Sequence, residues 1–307
     1  MRSVVAFGEV LWDVPRGGEP VLGGAPANFL CQLAQRGVDC NLVSSVGNDE
    51  RGRAALRTLA SFGVGLNGVT VGKLPTGFVD VDLQGAEPSY TITEGVAYDT
   101  IALSERGAQV VSQASLIYFG TLAARSPESS RTLDRILALS EAPRFVDLNL
   151  RGVHSVKSAV DRALREATVL KVNEDELRIL GETRRPRVGS TDRDIADQIL
   201  HDHPKMQVLV ITRGAAGARC LSRSKGWIES SGYSVSLRDT IGAGDAFSAG
   251  FVSEFIRGAP LERALQKGNL LGALVASKRG GICLVEDYEI SALESKAREQ
   301  ERGIFRA

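Results

Sequence analysis

Residues 239–250 run Asp239-Thr240-Ile241-Gly242-Ala243-Gly244-Asp245-Ala246-Phe247-Ser248-Ala249-Gly250, between a polar β-like segment and an amphipathic helical one. Small residues at 242 to 244 let backbone N–H groups come close to an anion, and a helix starting there adds roughly half a positive charge at its N-terminus. Asp245 sits in that positive field, which favours the ionised carboxylate, the form that accepts a proton. A carboxylate beside an anion cradle suits phosphoryl transfer to a hydroxyl, because catalysis of that reaction is mostly positioning and charge stabilisation. On local pattern alone, the same residues also describe a glycine-rich turn with Asp245 as a helix N-cap. A dinucleotide-binding turn fits less well, since G-x-G-x-x-G would need Gly or Ala where Phe247 stands.

Working outward, residues 4–7 form a short apolar strand, followed by a Gly/Pro-rich stretch over 15–26 and helical spacing over 28–34, stopped by Gly37. Residues 41–46 predict a strand, and 50–62 a helix with Ala54, Leu56, Leu59 and Ala60 on its apolar side. Residues 77–84 and 89–93 alternate apolar and polar around the turn-like Gln84-Gly85-Ala86-Glu87-Pro88, the pattern of an antiparallel hairpin with one wet face. The β-α-β rhythm then resumes, with strands over 116–119, 145–148, 169–172 and 208–212 and helices over 129–139 and 155–166. Two helical segments, 243–257 and 260–278, close the pattern. Strands this apolar belong to a parallel sheet covered on both faces. The expected fold is α/β, a single domain over 1–307 with a central, mainly parallel sheet between helices, and a small β lid at about 76–99 joined by a strand near Val21.

The chain has 307 residues, 43% hydrophobic and 24% charged, enough apolar material for a sizeable core. Lys plus Arg and Asp plus Glu both total 37, so no basic excess is present to hold nucleic acid or an anionic membrane. The N-terminus runs straight into a strand and no apolar run reaches membrane-spanning length, which leads us to expect a cytoplasmic protein. Cys31, Cys40, Cys220 and Cys283 are scattered, predicting reduced and mostly buried thiols and neither a zinc site nor a disulfide framework. His154, His201 and His203 have no ligand spacing and are given no role. There is no G-x-x-x-x-G-K-[ST] loop and no H-R-D or D-F-G triplet, so P-loop and protein-kinase readings lose their key parts.

Residues 239–252 resemble the second signature of the ribokinase-like (PfkB) carbohydrate kinases without a departure. The family's first signature is similar to Gly23-Gly24-Ala25-Pro26-Ala27-Asn28, followed by Gly37 and by Val46-Gly47-Asn48-Asp49-Glu50-Arg51-Gly52. One position departs, because Leu30 replaces the usual small residue. Further blocks fall in family order from Gly8 to about Val285. The resemblance implies an ATP-dependent sugar kinase with Asp245 as general base and Gly242, Ala243 and Gly244 as the phosphate cradle.

It further implies that Asp13, Gly23, Gly24 and Asn28 face the sugar, and that Arg151, closing Asp147-Leu148-Asn149-Leu150-Arg151, faces the transferring phosphate. Asn173 and Glu176 would hold Mg²⁺ and phosphate through water, a sparse set that suits a cation that keeps its waters. Thr212, Gly214 and Gly217 would lie beside ATP, and Asn269 would line the adenine pocket. Taken alone, Asp13 and Arg151 also fit solvated surface groups, Asn28 a helix cap, and the acids after Asn173 a helix first turn. Pro75-Thr76-Gly77, residues 94–99 and Tyr118-Phe119-Gly120-Thr121-Leu122-Ala123 with Arg125 are most similar to bacterial fructokinases, implying fructose and fructose 6-phosphate. Ribose, 2-keto-3-deoxygluconate or a nucleoside are alternative acceptors, and a non-catalytic sugar sensor is the alternative class. ATP and Mg²⁺ are the implied cofactors, with a monovalent cation and a homodimer through the lid left open.

Overall fold

The computed structural model describes residues 2–15, 17–82, 89–182 and 190–304. Strand β1 (Ser3–Phe7) sends Val4 and Ala6 into one apolar layer and Val5 and Phe7 into another, and none of the four is exposed. A strand buried on both faces needs apolar residues at every position, which accounts for its unbroken hydrophobic run.

The chain continues through β2 (Leu11–Pro15), β3 (Val21–Gly23), α1 (Ala25–Ala34), β4 (Asp39–Gly47), α2 (Glu50–Ser61), β5 (Gly65–Gly72), β6 (Gly77–Asp82) and β7 (Ser89–Ile92). Next come α3 (Glu105–Ser112), β8 (Leu116–Phe119), α4 (Pro127–Leu139), β9 (Arg144–Asp147), α5 (Lys157–Glu166), β10 (Val169–Asn173), α6 (Glu174–Glu182) and α7 (Asp192–Asp202). The last part comprises β11 (Val208–Thr212), β12 (Ala218–Ser222), β13 (Gly226–Ser230), α8 (Ala243–Phe255), α9 (Leu261–Ala276) and α10 (Asp287–Ile304).

Nine strands form one sheet in the order β13-β12-β11-β10-β9-β8-β1-β4-β5. Neighbours are parallel from β5 to β11, and β12 and β13 add an antiparallel edge. Helices α1, α2, α8 and α9 cover one face through Phe29, Leu59, Phe251 and Leu265, and α3 to α7 cover the other through Val111, Leu133, Ala163, Leu177 and Ile199. The expected parallel sheet between helices is what forms.

A second sheet, ordered β3-β2-β6-β7, stands apart. Here the sequence reading needs correction. The lid is expected over 76–99, yet Val96 and Tyr98 are fully buried in the main core, Ala97 between them is buried as well, and the sheet ends at Ile92. β3 is the strand expected near Val21; the unexpected member is β2, between β3 and β6, which puts Asp13 within a strand. A five-residue strand ending in proline carries too little period-two signal to be found locally, and pairing on both sides makes it. The expected turn 84–88 lies outside the described residues. β5, β12, β13, α3, α7 and α10 were also not anticipated; β5 and β13 begin at glycines, which weaken any strand signal.

Helices α8 and α9 touch backbone to backbone. A Cβ on Gly250 would lie 2.4 Å from the Lys267 carbonyl oxygen, and one on Gly268 would lie 2.8 Å from the Phe247 ring. Gly250→Ala is therefore expected to force the helices apart and lower the unfolding free energy by about 1–3 kcal/mol, as overpacked cores do. The check is the midpoint of urea unfolding at unchanged slope, and an unaltered midpoint would show that the contact is loose.

Candidate active site

Loops at the C-terminal ends of the parallel strands meet at one edge of the large sheet, the usual place for a site in this architecture. Helix α8 starts there. Its cap, Gly242, has a left-handed φ of 76°, and a Cβ at that residue would lie 2.2 Å from Gly281 Cα, so no other residue fits the turn. Asp239 braces the same turn, accepting the Ile241 N–H at 2.9 Å and the Gly280 N–H at 3.0 Å.

Asp245 lies in the first turn of α8. Asn28, buried on α1, donates its Nδ2 to Asp245 Oδ2 at 2.8 Å, across 217 residues of chain. Asn28 is thus a helix-interior residue holding a carboxylate, and its Oδ1 is buried with no hydrogen-bond partner among the described residues. Burial, and then the nearby Asp147 carboxylate, push Asp245 up to about 6, while Lys171, the Asn28 amide and Arg151 pull the other way.

The other expected residues fall around this point. Gly24, with a φ of 104°, brings the backbone against Glu9, where a Cβ would lie 2.6 Å from the Glu9 carbonyl oxygen. The Glu9 carboxylate accepts the Ala25 N–H at 3.2 Å and is itself held above its ordinary range by burial. Asp13 is also raised, first by burial and then by Asp239, against the pull of Arg151. A Cβ on Gly23 would come within 3.1 Å of its Oδ2. Arg151 is exposed at the mouth of the site, after a backbone turn in which Asn149 has a φ of 45°.

Asn173 and Glu176 clasp each other at the start of α6: Asn173 Oδ1 accepts the Glu176 N–H at 2.8 Å, and Glu176 Oε2 accepts the Asn173 N–H at 2.9 Å. Glu176 Oε1 accepts the Leu150 N–H at 2.7 Å, tying α6 to the loop that leads to Arg151. Each Glu176 oxygen retains one lone pair, which suits a water in the shell of a cation and not direct ligation. Among the described residues no group of three or more His, Cys, Asp or Glu could hold a metal ion by itself.

On the far side of the α8 N-terminus a cavity of about 680 Å³ opens, with Thr240, Ala243 and Gly244 at one part of its wall and Thr212, Gly214 and Gly217 at another. Asn269 lines it, but its Nδ2 donates to the Ser230 and Ser231 carbonyl oxygens, both at 3.0 Å, and so anchors the chain leaving β13. The sequence pattern does not single out Lys171 and Ser248, which bind Asp147 beneath this loop. It also gave His154 no role, yet Nδ1 of that residue lies 3.2 Å from Arg125 Nη1 and 3.4 Å from Glu94. Arg125 in turn grips Asp99 with Nε and Nη2, so it anchors the chain below β7. Asn173 with Glu176 is the pairing that the resemblance names; none of the other pairings is local.

Because the Asn28 amide favours the charged form of Asp245, Asn28→Ala should raise the Asp245 titration midpoint above its value near 6. Carbon-detected NMR of the aspartate carboxyls checks this, and a midpoint that stays or falls would mean that the hydrogen bond does not act on the charge.

Over residues 10–287 the chain matches the model of the pfkB family of carbohydrate kinases. It is 30% identical over 298 residues to the ATP-dependent ribose-1-phosphate kinase of Halopiger xanaduensis, covering 91% of this chain and 94% of that protein. It is 28% identical over 278 residues to the fructokinase of Salmonella typhimurium, covering 85% and 87%. The crystal structure of an uncharacterized sugar kinase from Pyrococcus horikoshii in complex with ATP superposes with a TM-score of 0.77 at 26% identity, over 91% of this chain and 94% of that one. Signatures, fold and the match across most of its length agree: the chain belongs to the pfkB family of carbohydrate kinases.

Proposed function

We propose that this protein transfers the γ-phosphoryl group of ATP to a hydroxyl of a sugar, with fructose as the first acceptor and Asp245 as the general base. The observation that carries the reading is the position of Asp245 in the first turn of α8, where its neighbours Ala243 and Gly244 line the cavity that would take the nucleotide and Arg151 acts both on Asp245 and on the Asp13 and Glu9 carboxylates that would take sugar hydroxyls. Asn28 holds one Asp245 oxygen still, leaving the other to accept the hydroxyl proton. Backbone N–H groups of residues 242–244 and the helix dipole meet the negative charge of the phosphoryl group as it moves. Arg151, exposed at the mouth, supplies a further positive charge there. Bound Mg²⁺ would offset charge on the nucleotide phosphates, with Asn173 and Glu176 holding its waters.

Fructose is favoured by residues 75–77, 94–99 and 118–125, which resemble bacterial fructokinases, and by fructokinase relatives such as that of Salmonella. A phosphorylated pentose is the second reading, favoured by the Halopiger relative. It would set a second phosphate near Asp13 and Glu9, two carboxylates that burial already holds above their ordinary range.

The test is ADP release from MgATP with fructose, ribose, ribose 1-phosphate, 2-keto-3-deoxygluconate and a nucleoside. Fructose should give the largest kcat/KM; another acceptor in that place corrects the substrate, and release with none supports a sensor. Asp245→Asn should lower kcat by about 10²–10⁴-fold with the fold intact, and near-normal turnover would remove Asp245 as base. Since only the ionised carboxylate accepts a proton, kcat/KM should fall as pH drops through about 6. A profile flat down to pH about 5 would contradict that.

The four-stranded sheet is proposed to close over the acceptor. Register places Asp13, Val79 and Ile92 in one row, and Val79 packs into the core, so this face looks toward the body of the protein. Amide exchange over 77–82 should slow on addition of fructose and change little with ATP alone. Exchange that is slow from the start and ignores sugar would mark the sheet as a fixed part of the fold.

A further inference from the structure

Beneath the N-terminus of α8 lies a buried charge that the roles above leave unused. Lys171 on β10 is 7% exposed, and its Nζ donates to both oxygens of Asp147 on β9, at 3.0 and 2.8 Å. The Ser248 hydroxyl, on the second turn of α8, lies 3.0 Å from Asp147 Oδ2 and 3.1 Å from the Gly244 carbonyl oxygen and shares its one proton between them, so the helix itself touches the pair. A Cβ on Gly244 would lie 3.1 Å from Lys171 Nζ. The glycine therefore admits the ammonium on the buried side of the loop as well as an anion on the open side.

A cation is out of place there on grounds of stability alone. A helix N-terminus is a positive end that attracts anions, and a lysine under it adds repulsion to the desolvation of a buried ion pair. An apolar pair at 147 and 171 would fill the space at lower cost. An anion in the loop reverses the balance, because helix and ammonium then both attract it through a medium of low dielectric. The charged and titratable groups that face the pair are Asp245 on α8, Glu176 on α6, Arg151 after β9 and Tyr118 on β8. Both Asp147 oxygens accept from the Lys171 ammonium, so the cation is paired where it is buried.

We propose that Lys171 is a positioning residue for phosphoryl transfer: anchored by Asp147 and Ser248 under Gly244, its ammonium is a fixed charge that holds the anion loop for the transferring phosphoryl group and acts on the neighbouring Asp245 carboxylate. The inference rests on the kinase reading above and adds a residue to it.

The test compares Lys171→Met with the doubly neutral Lys171→Met/Asp147→Asn, which keeps the shape and leaves no unpaired charge. In Lys171→Met, turnover should fall at least about tenfold with the fructose KM within about threefold, the pattern of an interaction made in the transition state. The acid limb of kcat should rise by about one pH unit, because the ammonium opposes protonation of Asp245. In the double variant the opposing influences of Lys171 and Asp147 leave together, so the limb should return toward its original position while turnover stays low. Wild-type turnover in the double variant would show that Lys171 only balances Asp147, and would overturn the proposal. If the single variant fails to fold, the double variant decides alone. The Asp245 titration followed by NMR needs no turnover; an unmoved midpoint in Lys171→Met also overturns the inference, whereas wild-type protein that phosphorylates no sugar overturns the kinase reading instead.

Discussion

The packing of α1 against α8 across a column of aromatic rings is the contact on which the site depends. Phe29 of α1 stacks on Tyr118 of β8 at 4.0 Å between centroids, Tyr118 on Phe145 of β9 at 6.0 Å, and Phe145 meets Phe251 of α8 at 5.9 Å. Such rings bury large apolar areas and have preferred mutual geometry, so they fix the two helices at a definite separation. Phe29 is the neighbour of Asn28, and Phe251 lies on the helix that Asp245 begins. The core contact that stabilises the fold is therefore also what sets Asn28 on the Asp245 carboxylate.

Glycines at two points let the backbones approach far enough for this to work. Gly250 against Lys267 and Gly242 against Gly281 have no room for a side chain. The first seats α8 on α9, and the second seats the anion loop on the segment after α9, where Gln32 of α1 also donates to the Gly281 carbonyl oxygen at 3.1 Å. The loop is held from both sides before any ligand arrives, and preorganisation of this kind is what electrostatic catalysis needs.

Electrostatically the chain is balanced overall and polarised locally. Burial raises the carboxylates Glu9, Asp13 and Asp245 together, the first two where the acceptor hydroxyls are proposed to bind. Positive influences collect at the loop, from the helix end, Lys171 and Arg151. Asp245 stands at the boundary, and its shift is the outcome of that competition. A carboxyl titrating near 6 is a stronger base than an ordinary aspartate and is still mostly ionised near neutral pH.

The sequence by itself determined the parallel sheet, because strands such as 4–7 and 208–211 are apolar throughout, and it located the loop, because Gly242 to Asp245 are contiguous and a glycine-rich run before a helical pattern marks a helix start. Asn173 and Glu176 were legible only through the resemblance, since acidic residues after a strand also describe an ordinary helix first turn. The tertiary structure decided the rest. The small sheet is assembled from β2, β3, β6 and β7, separated by α1, β4, α2 and β5, and a five-residue strand without its neighbours has no pattern to read. Which amide holds Asp245, and why a lysine lies beneath Gly244, depended on packing that joins α1, β9, β10 and α8. Hydrogen bonds that span 217 residues leave no local spacing in the chain, since only the close packing of distant apolar faces brings their partners within reach.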